Sequence, residues 1–205
     1  MPQSSTAAVE SPKRAAILAQ AVEVFAQQGY RHADVQEIAD RAQVGKGTVY
    51  RNFASKEDLF DAATYDVLLR LERHMFGAVD LTEDPLQVLY RIGTAHTAFF
   101  DQHPSYLEIF VQNRAEFRGT VPPLHKELHE QMIGRLVEVV QRGIDGGQLA
   151  EGDPRSIVMA LGTVLYGTIM FGCYVKDDYR LTALGEVSLR SFLRGIQGES
   201  ESSQF

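Results

Sequence analysis

The chain has 205 residues, with 20 basic and 27 acidic side chains and a formal charge of −7, which excludes a protein coated in basic surface. A hydrophobic fraction of 44% and a charged fraction of 23% fit an ordinary globular chain long enough to bury a sizeable core. The single cysteine, Cys173, excludes an intrachain disulfide, and with no signal-like segment at the start a reduced, cytoplasmic setting is expected.

Prolines mark where helices begin. Ser11-Pro12, Asp84-Pro85 and Asp153-Pro154 each pair an N-capping side chain with a proline at the first helical position, where the missing N–H costs nothing. Gly29 and Gly146-Gly147 read as helix stops. Sustained period-2 alternation is almost absent, so the fold class is all-α. Helices are expected at about 12–28, 34–41, 45–51, 55–78, 85–102, 105–117, 123–145, 154–176 and 183–197, about nine in total. Ser55 with Asp58, and Asp34 with Glu37, have capping-box spacing. Residues 1–11 and 198–205 read as disordered tails.

Charge is unevenly spread. The first sixty residues hold seven basic and seven acidic side chains, so the whole excess of −7 lies beyond them. Within that balanced segment the helices at 34–41 and 45–51 are joined by Ala42-Gln43-Val44, and Ile38, Ala39, Val44 and Val49 are spaced to pack in the angle between them. That is helix-turn-helix spacing. The second helix opens on Gly45 and Gly47, which let backbone approach a groove wall. Lys46, Thr48, Tyr50, Arg51 and Asn52 then supply groups suited to phosphates and base edges.

From Arg14 through Leu59 the chain resembles the DNA-binding domain of the TetR family of bacterial transcriptional regulators. The matching positions are Ile17, Ala21, Phe25, Gly29, Tyr30, Val35, Ile38, Ala39, Ala42 and Val44, then the run Lys46 to Phe53, then Ser55-Lys56-Glu57 and Leu59. The resemblance covers about 45 residues. It implies a helix-turn-helix domain at 12–57 and a larger effector-binding and dimerisation domain at 58–197. It also implies a homodimer on double-stranded operator DNA, with Lys46, Gly47, Thr48, Tyr50, Arg51 and Lys56 at the interface. Within that set, Lys46 and Arg51 are the candidates for base edges, and Thr48, Tyr50 and Lys56 for phosphates. Lys13 and Arg14 are placed to reach the DNA backbone as well. Two departures stand out. Gln43 occupies the usual place of a turn glycine, so strain is expected there. Ala33-Asp34 replace a common threonine pair; Asp34 can cap but cannot donate to phosphate, and it stays outside the contact set.

The rest of the chain is read from its helix faces. On 85–102, His96 falls among Leu86, Val88, Leu89, Ile92, Phe99 and Phe100, and His103 would follow if the helix continued. On 123–145, His125 and His129 fall among Leu128, Met132, Leu136, Val137 and Val140. Inward histidines need partners. Three readings stand: satisfied core residues, polar anchors of a ligand cavity, or an i, i+4 metal pair. The cavity set is His96, Phe99, Phe100, Phe110, His125, His129, Met132, Tyr166 and Met170, with Tyr106, Phe117 and Met159 as further lining. The resemblance implies a small effector in this domain, and the lining favours a largely apolar or aromatic one. With neither HExxH nor a cysteine cluster, no metal or other cofactor is assigned.

Residues 156–175 hold no charge. Length permits a membrane span, but Gly162, Gly167, Gly172, the hydroxyl residues and the mixed-charge flanks favour burial against a partner, so no membrane is expected. The resemblance implies that this helix and 183–197 pair across a dimer, with Gly162, Leu184, Phe192, Leu193 and Ile196 on the seam. Cys173 then reads as a buried structural thiol. No Ser/His/Asp or Cys/His set and no isolated carboxylate pair is legible, so no catalytic residue is assigned and an enzyme is not expected. The combined expectation is a ligand-responsive repressor that its effector releases from a palindromic operator.

Overall fold

A computed structural model describes residues 11–116, 121–172 and 180–198. The tails at 1–10 and 199–205, Phe117 and Cys173 lie outside the described residues. Among the described residues there are nine helices: α1 (Pro12–His32), α2 (Val35–Arg41), α3 (Lys46–Asn52), α4 (Lys56–Phe76), α5 (Pro85–Gln102), α6 (Pro104–Glu116), α7 (Pro123–Asp145), α8 (Pro154–Gly172) and α9 (Leu181–Gly195). The described residues form no strand, only one isolated antiparallel pairing of Leu149 with Gln197.

The helix starts follow the sequence chemistry. Ser11 Oγ accepts from the Arg14 N–H at 3.2 Å, Asp84 from Gln87 at 3.0 Å and Asp153 from Ser156 at 2.8 Å. Ahead of α4 the box is reciprocal: Asp58 N–H donates to Ser55 Oγ at 3.0 Å, and its carboxylate accepts from Ala54 N–H at 2.8 Å. The second expected box does not close. Asp34 caps α2 alone, because Glu37 turns instead to Gln28 and Arg41. Gly29 breaks α1 as expected, at φ 78° and ψ 154°, but Tyr30 to His32 resume the helix beyond it.

The chain divides into two compact units. The first holds α1 to α3, α4 up to Val67, and α6 from Glu108 onward. Its core is Ile17, Leu18, Ala21, Val24, Phe25, Ile38, Ala39, Val49, Phe53, Leu59 and Phe60, each 2% exposed or less. The Phe25 and Phe60 rings meet edge-on at 4.9 Å, and Tyr30 closes on Phe60 at 5.0 Å. The stretch of α6 in this unit holds the α1 kink from outside: Gln112 Oε1 accepts from the Tyr30 N–H, and Glu116 takes the Arg31 guanidinium through both oxygens at 2.9–3.0 Å.

The second unit comprises α4 from Leu68, α5, the first turn of α6, and α7 to α9. Small residues let α5 and α9 approach closely. A Cβ on Gly93 would stand 2.6 Å from a Leu189 methyl, and one on Gly185 equally close to the Thr97 methyl. Arg135 of α7 pairs with Glu72 of α4 and lies over the Phe76 ring at 3.9 Å. Arg142 collects the carbonyls of Leu81, Thr82 and Glu83, fixing the connection into α5.

The segment Pro154–Phe171 is long and apolar enough to cross a membrane, yet only 28% of it is buried within the chain. Its outward face shows Met159, Tyr166 and Phe171, with Gly162, Thr163 and Gly167 between them, and α9 adds Val187. Between the two helices runs a groove of about 500 Å³ lined by Val164, Gly167, Phe171, Leu184, Ser188 and Phe192, among others. Leu193 is a correction to the expected seam: it is 6% exposed and packs in the chain's own core, while Phe192 is half-buried and lines this groove. Ile196 is half-buried. It follows the end of α9, and its carbonyl accepts from the Ala150 N–H at 2.9 Å. Tyr166 and Met159 are corrections to the cavity set, since both face outward at about half exposure.

Candidate functional site

Two places gather polar side chains that structural packing does not use up. The first is the α2–α3 pair. Ala42 ends α2, Gln43 turns the chain at φ 56°, and the Val44 N–H returns to the Ala39 carbonyl at 2.9 Å. Left-handed backbone at a residue with a Cβ costs roughly 1 kcal/mol, the strain expected where a glycine would be relaxed. Ile38, Ala39 and Val49 are buried beneath this turn and set the angle between the helices.

Above it α3 presents an open surface. A Cβ on Gly45 or Gly47 would meet nothing within 4 Å, so nothing in the chain's own packing requires glycine at either place. Lys46 and Tyr50 are each 45% exposed. Thr48 Oγ1 accepts from the Arg51 guanidinium at 2.8 Å, and Asn52 donates back to the Thr48 carbonyl at 2.8 Å, so Thr48, Arg51 and Asn52 are held in place before anything binds. Lys56 is placed differently. It is half-buried, its ammonium donates to the Arg31 carbonyl at 3.1 Å and lies 5.3 Å from the centre of the Tyr30 ring, and burial lowers its pKa while the field of Asp34 raises it. Arg14 stacks on Phe53 at 4.7 Å. Sequence reasoning missed one neighbour: the Asp34 carboxylate stands 3.8 Å from the Lys46 ammonium.

The second place surrounds His96. Its Nδ1 has no hydrogen-bond partner and no accessible surface, although the ring as a whole is only half-buried. Phe100 meets it edge-on at 5.2 Å, Phe99 meets Phe100 at 5.2 Å, and His74, His103 and Tyr106 surround Phe99 at 5.3–5.7 Å. His74, on α4, carried no sequence signal. Desolvation pushes His96 down to about 4, so the imidazole is neutral at physiological pH.

The other expected lining residues scatter. His125 and Met132 are buried and Met170 is half-buried, but His129 is exposed. The i, i+4 pair is therefore not on one covered face. His129 lies on the apolar side of α7 by angle, yet it is exposed, as are Val121 and Leu124 at the helix start, while His125 and Leu128 are buried. His103 is exposed too, since α5 stops at Gln102. Phe110 falls in the first unit. Among the described residues no group of three or more His, Cys, Asp or Glu side chains is arranged to hold a metal ion.

The His96 shift has a measurable sign. Its folded-state value lies below the ordinary 6.5, so between those values the unfolded chain binds a proton that the folded chain refuses. Stability from this group is complete above the upper value and falls as pH drops through the window. The urea midpoint is expected to decline on acidification more steeply in the wild type than in His96→Leu. Equal slopes would assign the titration elsewhere.

Comparison with known proteins gives one family. The family pattern for bacterial regulatory proteins of the tetR family matches residues 17–63. The HTH-type transcriptional repressor KstR2 of Mycobacterium tuberculosis is 29% identical over 137 residues, 66% of this chain and 68% of that protein. The fatty acid metabolism regulator protein of Bacillus subtilis is 26% identical over 200 residues, covering 92% of this chain and 97% of its own. Among solved structures, the transcriptional regulator FadR from Bacillus subtilis in complex with stearoyl-CoA superposes with a TM-score of 0.70 at 24% identity, covering 89% of this chain and 98% of that one.

Proposed function

Because the chain belongs to the TetR family of bacterial regulatory proteins, we propose that it is a cytoplasmic, ligand-responsive repressor that binds a palindromic operator as a homodimer. The observation that carries this reading is α3: a short helix with open glycines at its start and Lys46 and Tyr50 outward, set on a core that fixes its angle. Two such helices about 34–36 Å apart would enter successive major grooves. Lys46 and Arg51 then reach base edges, Gly47 lets the backbone approach, and Thr48 and Tyr50 take phosphates. Lys56 joins them only by leaving the Arg31 carbonyl.

The second subunit is proposed to cover α8 and α9. Met159, Tyr166, Phe171 and Val187 are large apolar side chains left exposed on these helices, with Gly162, Leu184 and Phe192 along them. The effector is proposed to be largely apolar, held near Phe99 and Phe100, with one polar group for His96 Nδ1. Only the acyl chain of the stearoyl-CoA bound by the Bacillus subtilis regulator fits that description, since its coenzyme A part is polar and charged. Such a ligand releases DNA only by binding the DNA-incompetent arrangement more tightly.

The test is a gel shift on duplexes selected by the wild-type protein from a random library. The Lys46→Ala/Tyr50→Ala double variant is expected to lose at least about a hundredfold in affinity, from roughly 1–3 kcal/mol per lost contact in each of two subunits. Binding by the variant equal to wild type would remove α3 from the interface.

A further inference from the structure

Asp34 carries a charge that its structural task does not need. It is the N-cap of α2, in extended backbone at φ −96° and ψ 123°, and its Oδ1 accepts the Gln36 N–H at 2.8 Å. Serine or asparagine would satisfy the same donor, since capping requires an oxygen and not a negative charge. The surplus charge is directed at the recognition helix. Oδ1 stands 3.8 Å from Lys46 Nζ, with the Asp34 side chain 65% exposed. Its field also reaches Lys56. The other acidic groups of α2 are differently engaged: Glu37 is tied to Gln28 and Arg41, and Asp40 accepts from Gln36.

We propose that Asp34 is a specificity-determining residue, a fixed negative charge beside Lys46 that suppresses binding to arbitrary duplex and leaves binding to the cognate sequence largely intact. The inference rests on α3 being the DNA-reading helix. Binding to arbitrary DNA is set by cations facing phosphates and weakens with each charge cancelled. A carboxylate beside Lys46 cancels one such charge per subunit and is itself repelled by any phosphate drawn close. A cognate site offers Lys46 something better than a phosphate, the paired acceptors of a guanine edge, and a carboxylate tolerates neighbouring base-amine donors. The penalty therefore falls mainly on non-cognate DNA.

The experiment compares wild type with Asp34→Asn, Asp34→Ser and Asp34→Glu on a duplex selected by the wild-type protein and on a scrambled duplex of the same composition, across a salt series. Asparagine and serine keep the cap and remove the charge. Both are expected to bind scrambled DNA about fivefold or more tightly at low salt, with a salt slope steeper by about one unit per subunit and a smaller change on the selected duplex. Glutamate keeps the charge at the expense of cap geometry and is expected to stay near wild type on scrambled DNA. Wild-type values for Asn and Ser on scrambled DNA, or Glu behaving like Asn, would overturn the proposal and leave Asp34 as a cap alone. A selection with the wild-type protein that enriches no duplex would overturn the regulator reading and this one with it.

Discussion

Tyr166→Asp is expected to turn a dimer into a monomer of 22.8 kDa with little loss of fold. Tyr166 lies in the middle of α8 and is 53% exposed in the isolated chain, so its ring supports little of the chain's own core. A substitution at such a position ordinarily changes folding stability by less than about 0.5 kcal/mol. Across a two-fold axis each dimer would instead receive two carboxylates within an apolar seam of Met159, Phe171, Val187 and Phe192. An uncompensated buried charge costs about 3–5 kcal/mol, so each of the two should weaken the dimer constant by about two to four orders of magnitude. Sedimentation equilibrium gives the mass directly. Operator binding should fall with it, because a monomer engages one half-site and loses the joint contribution of the second. A Tyr166→Asp chain that stays dimeric would move the interface away from α8.

That side chain also marks where local sequence reasoning reaches its limit. A helix apolar all round gives no angular signal, so the inward and outward faces of α8 are indistinguishable from spacing, and spacing alone puts Tyr166 in the cavity. The same limit explains Leu193 and Phe192. Adjacent residues on α9 differ by about 100°, and only the approach of α5 through Gly93 and Gly185 decides which faces in. Where chemistry is local, neighbouring residues suffice. The Ser/Asp-Pro caps, the Ser55–Asp58 box, the break at Gly29 and the left-handed Gln43 all follow from a few neighbouring residues. What escaped is long-range. Gln112 and Glu116 reach Tyr30 and Arg31 across more than eighty residues of sequence, and no periodicity records that. His129 shows the complementary failure: its angle is apolar, but burial needs a neighbour opposite.

Phe60→Ala is expected to weaken the first unit and spare the second. Phe60 is fully buried, with Phe25 edge-on at 4.9 Å and Tyr30 at 5.0 Å, so its removal leaves a void between α1 and α4 bounded by aromatic rings. Such truncations cost about 3–5 kcal/mol, a large part of the roughly 5–15 kcal/mol that holds a domain folded. The second unit has its own core in Val88, Leu89, Ile92, Val140 and Leu189, none of which the substitution touches. Thermal unfolding followed by far-UV circular dichroism should therefore separate an early transition, lowered by more than about 10 °C, from one that stays in place. Phe60→Leu should fall between, since it keeps most of the volume and loses the ring edge. The two substitutions have opposite signatures. Tyr166→Asp should give a monomer whose first unit melts normally, whereas Phe60→Ala should give a dimer that loses DNA because α3 no longer rests on a fixed core. A single, unshifted transition in Phe60→Ala would contradict the placement of this ring at the centre of the first unit.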